Sequence, residues 1–198
     1  MGSNSVDILV RDLSVYGQVA LGLLLVSLVT DGVLSNRYRD GDALLDHRSF
    51  RHLVMSLSTF FTALLLSWRF EIGLVELPMW LQVLGLVVVA GGTLLRHVAI
   101  SQLGELFTWK IAILDVHQLK TDGLYRWIRH PSYTGRLLGI IGLSLTFESV
   151  VALLIALLIH APVILRRVRL EEIALRLHFG AHFESYAGRT ARLVPFSY

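Results

Sequence analysis

The chain contains no cysteine. This absence excludes disulfides, iron–sulfur clusters, zinc sites built from cysteine and any thiol nucleophile. Charge is also scarce, because charged residues make up 17% of the 198 residues, whereas soluble domains carry about 25%. Hydrophobic residues make up 54% of the chain. A soluble single-domain protein is therefore excluded, and the composition is typical of an integral membrane protein.

Lysine is nearly absent as well, with two lysines against sixteen arginines and a net charge of +3. Because a chain this hydrophobic is expected to lie in a lipid bilayer, we interpret the arginines as topology signals and as site residues. We predict no nucleic-acid partner. The eight histidines show no spacing typical of metal ligands, so no metal is predicted. No G-x-G-x-x-G motif follows a strand, which excludes a Rossmann-type nucleotide site.

Three uncharged runs predict membrane-spanning helices at residues 13–30, 53–68 and 77–95. A spanning helix needs roughly 20 apolar residues, with about 17 to 25 tolerated. The third run contains Gly85, Gly91 and Gly92, which indicate close packing against another helix.

A fourth run, residues 137–165, is interrupted only by Glu148. As one helix it would be about 44 Å long, whereas the bilayer core is roughly 30 Å thick. It would also place the Glu148 carboxylate near the middle of the membrane, which is unfavourable. We therefore predict a hairpin that turns at residues 147–149. Its first arm begins at Pro131, and its second arm ends near Leu165 with a kink at Pro162.

The predicted fold is all-α with five transmembrane helices. In that arrangement Arg11 and Arg69 are the basic residues on one side, and the other sixteen basic residues lie on the opposite side. The positive-inside rule then places the N-terminus outside and the C-terminus in the cytoplasm. We predict one integral membrane domain over residues 1–198, with three N-terminal spans in residues 1–100 and a ligand-binding half in residues 101–198.

Polar residues that can form a site concentrate at the cytoplasmic ends of the hairpin arms, in residues 117–136 and 164–180. Because the arms are antiparallel, Arg129 and His130 are expected near residues 166–172. Arg167 and Glu171 are spaced i and i+4 and share one helix face. Free backbone amides at a helix start can receive an anion. Taken alone, these residues also fit an interfacial cap and a solvated ion pair, and both interpretations stay open.

The order of residues in this half resembles a known family. The chain reads HQLKTDGLY at residues 117–125 and RHPSYTG at residues 129–135, followed by the hydrophobic hairpin and then by Arg167, Glu171 and Glu172. This order and spacing resemble the isoprenylcysteine carboxyl methyltransferase family and the wider group of phospholipid methyltransferases. The resemblance covers roughly residues 101–198 and does not identify the substrate.

The resemblance implies a membrane enzyme that uses S-adenosyl-L-methionine in a cytoplasmic pocket and acts on an amphiphilic isoprenoid or lipid-linked acceptor within the lipid bilayer. It implies catalytic roles for Arg167, Glu171 and Arg129, with Arg167 facing the methyl acceptor. The implied cofactor-binding residues are His117, Gln118, Leu119, Lys120, Tyr125, His130, Pro131, Ser132, Tyr133 and Glu171.

The chemistry leaves several functions open. A carboxylate acceptor is already nucleophilic and needs no base, whereas a lipid amine needs one, for which Glu171 or Glu172 is the candidate. A reductase similar to the sterol reductases would instead bind NADPH, with Lys120, Arg126 and Arg129 as phosphate anchors. A non-enzymatic scaffold or transporter is the remaining alternative, although the first three spans carry no internal charge to line a polar pathway.

Overall fold

A computed structural model describes residues 17–20, 22–23, 47–107 and 118–194. Within these ranges the regular structure is helical, and extended pairing is limited to two isolated bridges, Leu74 with Ser149 and Ile128 with Ala191. The predicted all-α class is confirmed. The helices are α1 (His47–Phe70), α2 (Met79–Leu103), α3 (Pro131–Thr146), α4 (Val150–Ile155), α5 (Ala161–Phe179) and α6 (Ala181–Ala187), with 3₁₀ turns at Gly104–Leu106 and Gly123–Arg126 and a π-helical turn at Ala156–His160.

Three segments of the described residues are long and apolar enough to cross a membrane: Arg48–Phe70, Met79–Leu103 and Val150–Phe179. The chain is therefore an integral membrane protein. The predicted first span, residues 13–30, lies mostly outside the described residues. Helix α3 has 16 residues, fewer than the roughly 20 that a perpendicular span needs. The total of five spans stays a prediction.

Helix α2 continues past the charge at which the sequence predicted the end of the third span. The uncharged run ends at Leu95, whereas α2 extends to Leu103. Arg96 is buried, and its Nη1 donates a hydrogen bond to the Ser132 carbonyl at 3.3 Å. Because the guanidinium has a polar partner on α3, the helix tolerates this charge inside the bundle.

The predicted hairpin is confirmed, with its turn at residues 147–149. Helix α3 ends at Thr146, and Glu148 adopts a left-handed φ of 56° that reverses the chain. Ser149 then caps α4, because its Oγ accepts a hydrogen bond from the Ala152 amide at 3.0 Å. The carboxylate thus lies at the end of the bundle, as the charge of Glu148 predicted.

The second arm of the hairpin is longer than predicted. Helices α4 and α5 are joined by the π-helical turn Ala156–His160, and α5 continues through Pro162 to Phe179 instead of ending near Leu165. A proline inside an α-helix clashes with the carbonyl four residues earlier. A wider π-helical turn immediately precedes Pro162, and the arm continues past the proline to Arg167 and Glu171.

Glycines bring α2 and α3 into backbone contact. A Cβ added to Gly92 would lie 2.6 Å from the carbonyl oxygen of Gly135, and one added to Gly142 would lie 2.6 Å from that of Gly85. Larger side chains therefore cannot replace them without separating the helices. The predicted close packing is confirmed for Gly85 and Gly92 and is wrong for Gly91, where an added Cβ meets nothing within 4 Å.

Among the described residues, two apolar clusters hold the bundle together. The larger one joins α1 to the hairpin and includes Phe60, Leu64 and Leu143. The smaller one consists of Leu53, Ile164 and Val168, with Tyr133 and Leu137 of α3 packed against it, and lies beside the polar ends of the hairpin arms. It fixes the distance between α3 and α5 where the candidate site begins.

Candidate active site

Four parts of the chain meet at the polar end of the hairpin. They are the first turn of α3, the middle of α5, the first turns of α1 and a segment after α6, residues 190–194, that we call the strap. The strap lies parallel to residues 127–130. Its backbone accepts hydrogen bonds at Ala191 from the Arg129 amide at 2.8 Å and at Arg192 from the His130 amide at 3.2 Å. Thr134 Oγ1 also donates to the Leu193 carbonyl at 2.7 Å.

Glu172 is the centre of a buried ionic network. Its side chain is 2% exposed, and its Oε1 accepts from Arg129 Nε at 2.9 Å. Arg192 of the strap donates through Nε to Oε1 at 3.1 Å and through Nη2 to Oε2 at 2.6 Å. His130 Nε2 lies 3.3 Å from Oε1. Three basic side chains thus satisfy this carboxylate, which is what a buried charge requires.

Arg129 is bound by backbone carbonyls as well as by Glu172. Besides Glu172, its Nη1 donates to the Ala187 carbonyl at 2.7 Å and to the carbonyl and hydroxyl of Thr190. These contacts connect the start of α3 to the end of α6 and to the strap. The implied catalytic role of Arg129 stays a prediction, and its geometry favours a supporting role.

His130 lies between two carboxylates. While Nε2 faces Glu172, Nδ1 lies 3.7 Å from Glu171 Oε1. The His130 ring also packs beside Tyr133, with ring centroids 5.9 Å apart. The side chain of Glu171 is 33% exposed, in contrast to its buried neighbour Glu172. Glu171 is therefore the carboxylate that a ligand can reach.

Tyr133 binds Arg167 and packs beside the histidine that Glu171 faces. Arg167 is 2% exposed, and its Nε donates to the Tyr133 hydroxyl at 2.8 Å. Glu171 lies beside the same tyrosine, because its Oε1 is 3.7 Å from Nδ1 of His130 and the His130 ring packs against Tyr133. Arg167 Nη1 also donates to Ser49 Oγ of α1 at 3.4 Å. The expected shared face of Arg167 and Glu171 is thus observed, since both side chains face the Tyr133–His130 pair of α3.

Two further predicted residues, Tyr125 and Pro131, form a buried wall beside this cluster. Burial raises the pKa of Tyr125 well above its usual value, and the charge of Glu171 raises it further. Its hydroxyl donates to the Ala99 carbonyl at 3.2 Å, and its own carbonyl accepts from the Tyr186 hydroxyl at 2.7 Å. Pro131 is buried at the start of α3. These contacts hold the wall rigid.

The predicted strip before Tyr125 is described only in part. His117 lies outside the described residues. Gln118 is exposed, Leu119 is half-buried, and Lys120 Nζ pairs with Asp122 at 3.0 Å. That ion pair also lowers the pKa of the Asp122 carboxyl. Contact of this strip with a cofactor stays a prediction.

The start of α3 offers fewer open amides than the sequence suggested. The amides of Tyr133 and Thr134 both donate to the His130 carbonyl, at 3.1 and 3.2 Å. Sequence analysis also missed Ser49 and Arg192 as parts of the site. Ser49 is 118 residues from its partner Arg167, and Arg192 is 20 residues from its partner Glu172. No local spacing therefore indicated either contact.

Comparisons with known proteins confirm the resemblance that the motifs indicated. The model of the isoprenylcysteine carboxyl methyltransferase (ICMT) family matches residues 83–177. The probable protein-S-isoprenylcysteine O-methyltransferase of Oryza sativa subsp. indica is 34% identical over 114 residues, covering 57% of this chain and 60% of the rice protein. The protein-S-isoprenylcysteine O-methyltransferase of Rattus norvegicus is 31% identical over 159 residues, covering 78% of this chain and 55% of the rat protein.

The fold is also similar to a solved structure, that of the eukaryotic intramembrane Ras methyltransferase ICMT. The TM-score is 0.60 at 24% sequence identity, over 77% of this chain and 55% of that chain. This chain spans about 60% or less of the length of the relatives named here. The family match ends at residue 177, so α6 and the strap lie beyond it.

Proposed function

We propose that this chain is a membrane methyltransferase that transfers a methyl group from S-adenosyl-L-methionine to the carboxylate of an isoprenoid or lipid-linked acceptor, of which an isoprenylcysteine is the first candidate. One observation carries the proposal. A buried guanidinium, Arg167, and a reachable carboxylate, Glu171, face two adjacent side chains: Arg167 Nε donates to the Tyr133 hydroxyl, and Glu171 Oε1 lies 3.7 Å from Nδ1 of His130, whose ring packs beside Tyr133. This pair of opposite charges matches the charges of the two reactants.

The residues fit the cofactor by their chemistry. S-adenosyl-L-methionine supplies an electrophilic methyl group on a positively charged sulfur, together with an ammonium and a carboxylate. The carboxylate of Glu171, 33% exposed, suits the positive groups, and the aromatic rings of Tyr125 and Tyr133 suit adenine. Since the Tyr133 and Thr134 amides are occupied, we propose that this end of α3 contacts the cofactor through His130.

On the acceptor side, Arg167 orients the carboxylate that is methylated. An oxygen of that carboxylate attacks the methyl carbon, the carbon–sulfur bond breaks, and the products are a methyl ester and S-adenosylhomocysteine. The carboxylate needs no base, so the protein's contribution is alignment and exclusion of water. The apolar cluster of Leu53, Ile164 and Val168 beside the site shields Arg167 from water. We propose that this end of the bundle faces the cytoplasm and that the lipid part of the acceptor enters from the bilayer.

Both enzymatic alternatives fit the geometry less well. A lipid amine needs a base. Glu172 is occupied by Arg129, Arg192 and His130, so Glu171 is the remaining candidate, and we assign Glu171 to the positive groups of the cofactor. A reductase needs phosphate anchors. Of the three that the sequence offers, Lys120 pairs with Asp122, Arg126 stacks on Trp127 with its guanidinium 5.3 Å from the ring, and Arg129 binds Glu172.

The test is transfer of labelled methyl from S-adenosyl-L-methionine to a prenylated cysteine analogue by the full chain in detergent or lipid. Glu171→Ala is expected to abolish transfer. Glu184→Ala removes an exposed carboxylate that pairs with Arg176 at 2.5 Å on α5 and is expected to leave transfer intact. Equal activity of the two variants, or no transfer by the wild type to carboxylate acceptors, would overturn the proposal.

A further inference from the structure

The strap connects to the candidate site through one side chain. Arg192 reaches from the strap to Glu172 and binds both carboxylate oxygens, at 3.1 Å through Nε and 2.6 Å through Nη2. Such a two-point contact fixes the plane of the carboxylate as well as its position. Glu172 in turn contacts His130 Nε2 at 3.3 Å. A chain of polar contacts therefore runs from the strap to a predicted cofactor-binding residue.

The backbone follows the same route. The Arg129 and His130 amides both donate to strap carbonyls, and the Ala191 amide donates back to the Trp127 carbonyl at 3.1 Å. The strap thus holds the His130 backbone while Arg192 holds its side chain through Glu172. This arrangement leaves His130 Nδ1 on the side of Glu171.

We propose that Arg192 is a positioning residue that sets the orientation of the His130 imidazole through Glu172, so that the strap completes the site although it lies outside the family match. The consequence for the cofactor rests on the proposed function. Without Arg192, Glu172 loses its two-point contact and can turn toward Arg129, and the imidazole loses its fixed partner. Arg192 itself touches neither reactant.

The side chain of Arg192 is 43% exposed, which makes it a suitable position for a test, because its removal leaves no cavity in the core. The variants are Arg192→Ala and the conservative Arg192→Lys in the full chain. Arg189→Ala is the matched control, because Arg189 is an exposed arginine three residues earlier that donates to the Ser185 carbonyl.

Two readouts separate positioning from a merely structural role. The first is the ring nitrogen resonances of His130 in protein with isotope-labelled histidine, assigned by their loss in His130→Gln. The second is the Kd for S-adenosylhomocysteine, with the acceptor KM measured beside it. We expect Arg192→Ala to shift the His130 resonances, to raise the Kd about tenfold and to leave the acceptor KM within about twofold. Arg192→Lys is expected to recover part of the affinity, and Arg189→Ala to match the wild type.

Unchanged His130 resonances and Kd in Arg192→Ala would overturn the proposal, even if the melting temperature fell, because the strap would then be structural only. Failure of the proposed function looks different. If the wild type bound no S-adenosylhomocysteine while the His130 resonances still moved in Arg192→Ala, the positioning of His130 would be supported and the methyltransferase function would be overturned.

Discussion

Each end of the hairpin has a glutamate that binds a neighbouring segment of the chain, but the two glutamates have different kinds of partner. At the turn end, Glu148 Oε1 accepts from the Leu77 amide at 2.8 Å and from Gln82 Nε2 at 3.0 Å, and both donors are neutral. At the site end, Glu172 is held by Arg129, Arg192 and His130. Neutral hydrogen-bond donors satisfy the Glu148 carboxylate, whereas basic side chains satisfy the Glu172 carboxylate.

The difference shows what each end is built to do. Neutral donors are sufficient to close the turn and to tie it to the loop between α1 and α2. Buried charges are costly to desolvate and contribute little net stability, so their value lies in a fixed geometry. At the site end that geometry orients His130 beside Glu171. We therefore expect changes at the turn end to affect stability alone and changes at the site end to affect both stability and ligand binding.

The largest expected effect is that of Glu172→Ala. Removing the carboxylate leaves Arg129 and Arg192 without their shared anion, which costs about 3–5 kcal/mol for a buried ion pair. We expect a large drop in the melting temperature, measured by circular dichroism in detergent. We also expect loss of S-adenosylhomocysteine binding. Glu184→Ala removes an exposed pair and is expected to cost less than about 1 kcal/mol. Equal melting temperatures for the two variants would contradict the central role of Glu172.

The second prediction distinguishes the role of Arg167 from that of Glu171 at the site end. Arg167→Ala is expected to raise the acceptor KM about 10- to 100-fold, equivalent to the roughly 1.5–3 kcal/mol of a charged hydrogen bond, and to spare cofactor binding. Steady-state kinetics with varied acceptor and a separate binding titration measure the two quantities. Loss of cofactor affinity with intact use of the acceptor would mean that the roles of Arg167 and Glu171 are inverted.

At the turn end, Glu148→Ala is expected to cost about 1–3 kcal/mol, because two part-buried hydrogen bonds are lost, each with a net contribution of about 0.5–1.5 kcal/mol. Glu148→Gly is expected to cost less, since glycine adopts the left-handed φ of 56° at this position without strain. Thermal unfolding of both variants measures the difference. The affinity for S-adenosylhomocysteine is expected to stay unchanged, and a weakened affinity would show that the two ends are coupled across about 24 Å of α3.

The smallest expected effect is that of Ser49→Ala. The contact from Arg167 Nη1 is long, at 3.4 Å, and Tyr133 holds the same guanidinium. We expect the acceptor KM to rise about two- to threefold, as for the loss of one weak hydrogen bond. Ser58→Ala, an exposed serine of the same helix, is the control. A rise of more than about tenfold would mean that α1 contributes directly to acceptor binding.

The turn end could be predicted from the sequence because its cause is local. A 29-residue apolar run is too long for one span, and its single charge marks the turn at Glu148. Arg167 and Glu171 were likewise predictable, since their spacing alone places them on one helix face. The antiparallel arms placed Arg129 and His130 near them, and the family resemblance added Tyr133.

The parts that were not predicted depend on partners distant in the chain. Helix α2 continues past Arg96 because the Ser132 carbonyl, 36 residues later, accepts from its guanidinium. The second arm continues past Pro162 after a π-helical turn whose His160 Nδ1 lies 3.0 Å from Ser56 Oγ, 104 residues earlier. Arg192 and Glu172 are 20 residues apart and on different segments. Periodicity reports a residue's own helix face and carries no information about such contacts.

The most direct test of the central claim is the thermal stability of the detergent-purified protein with S-adenosylhomocysteine, S-adenosyl-L-methionine or NADPH. A ligand at about 100 times its Kd adds about 2.7 kcal/mol to the folded state. We predict that both adenosyl compounds raise the melting temperature of the wild type, that NADPH does not, and that Glu171→Ala loses the response. A rise with NADPH alone, or no response to any of the three, would contradict the account.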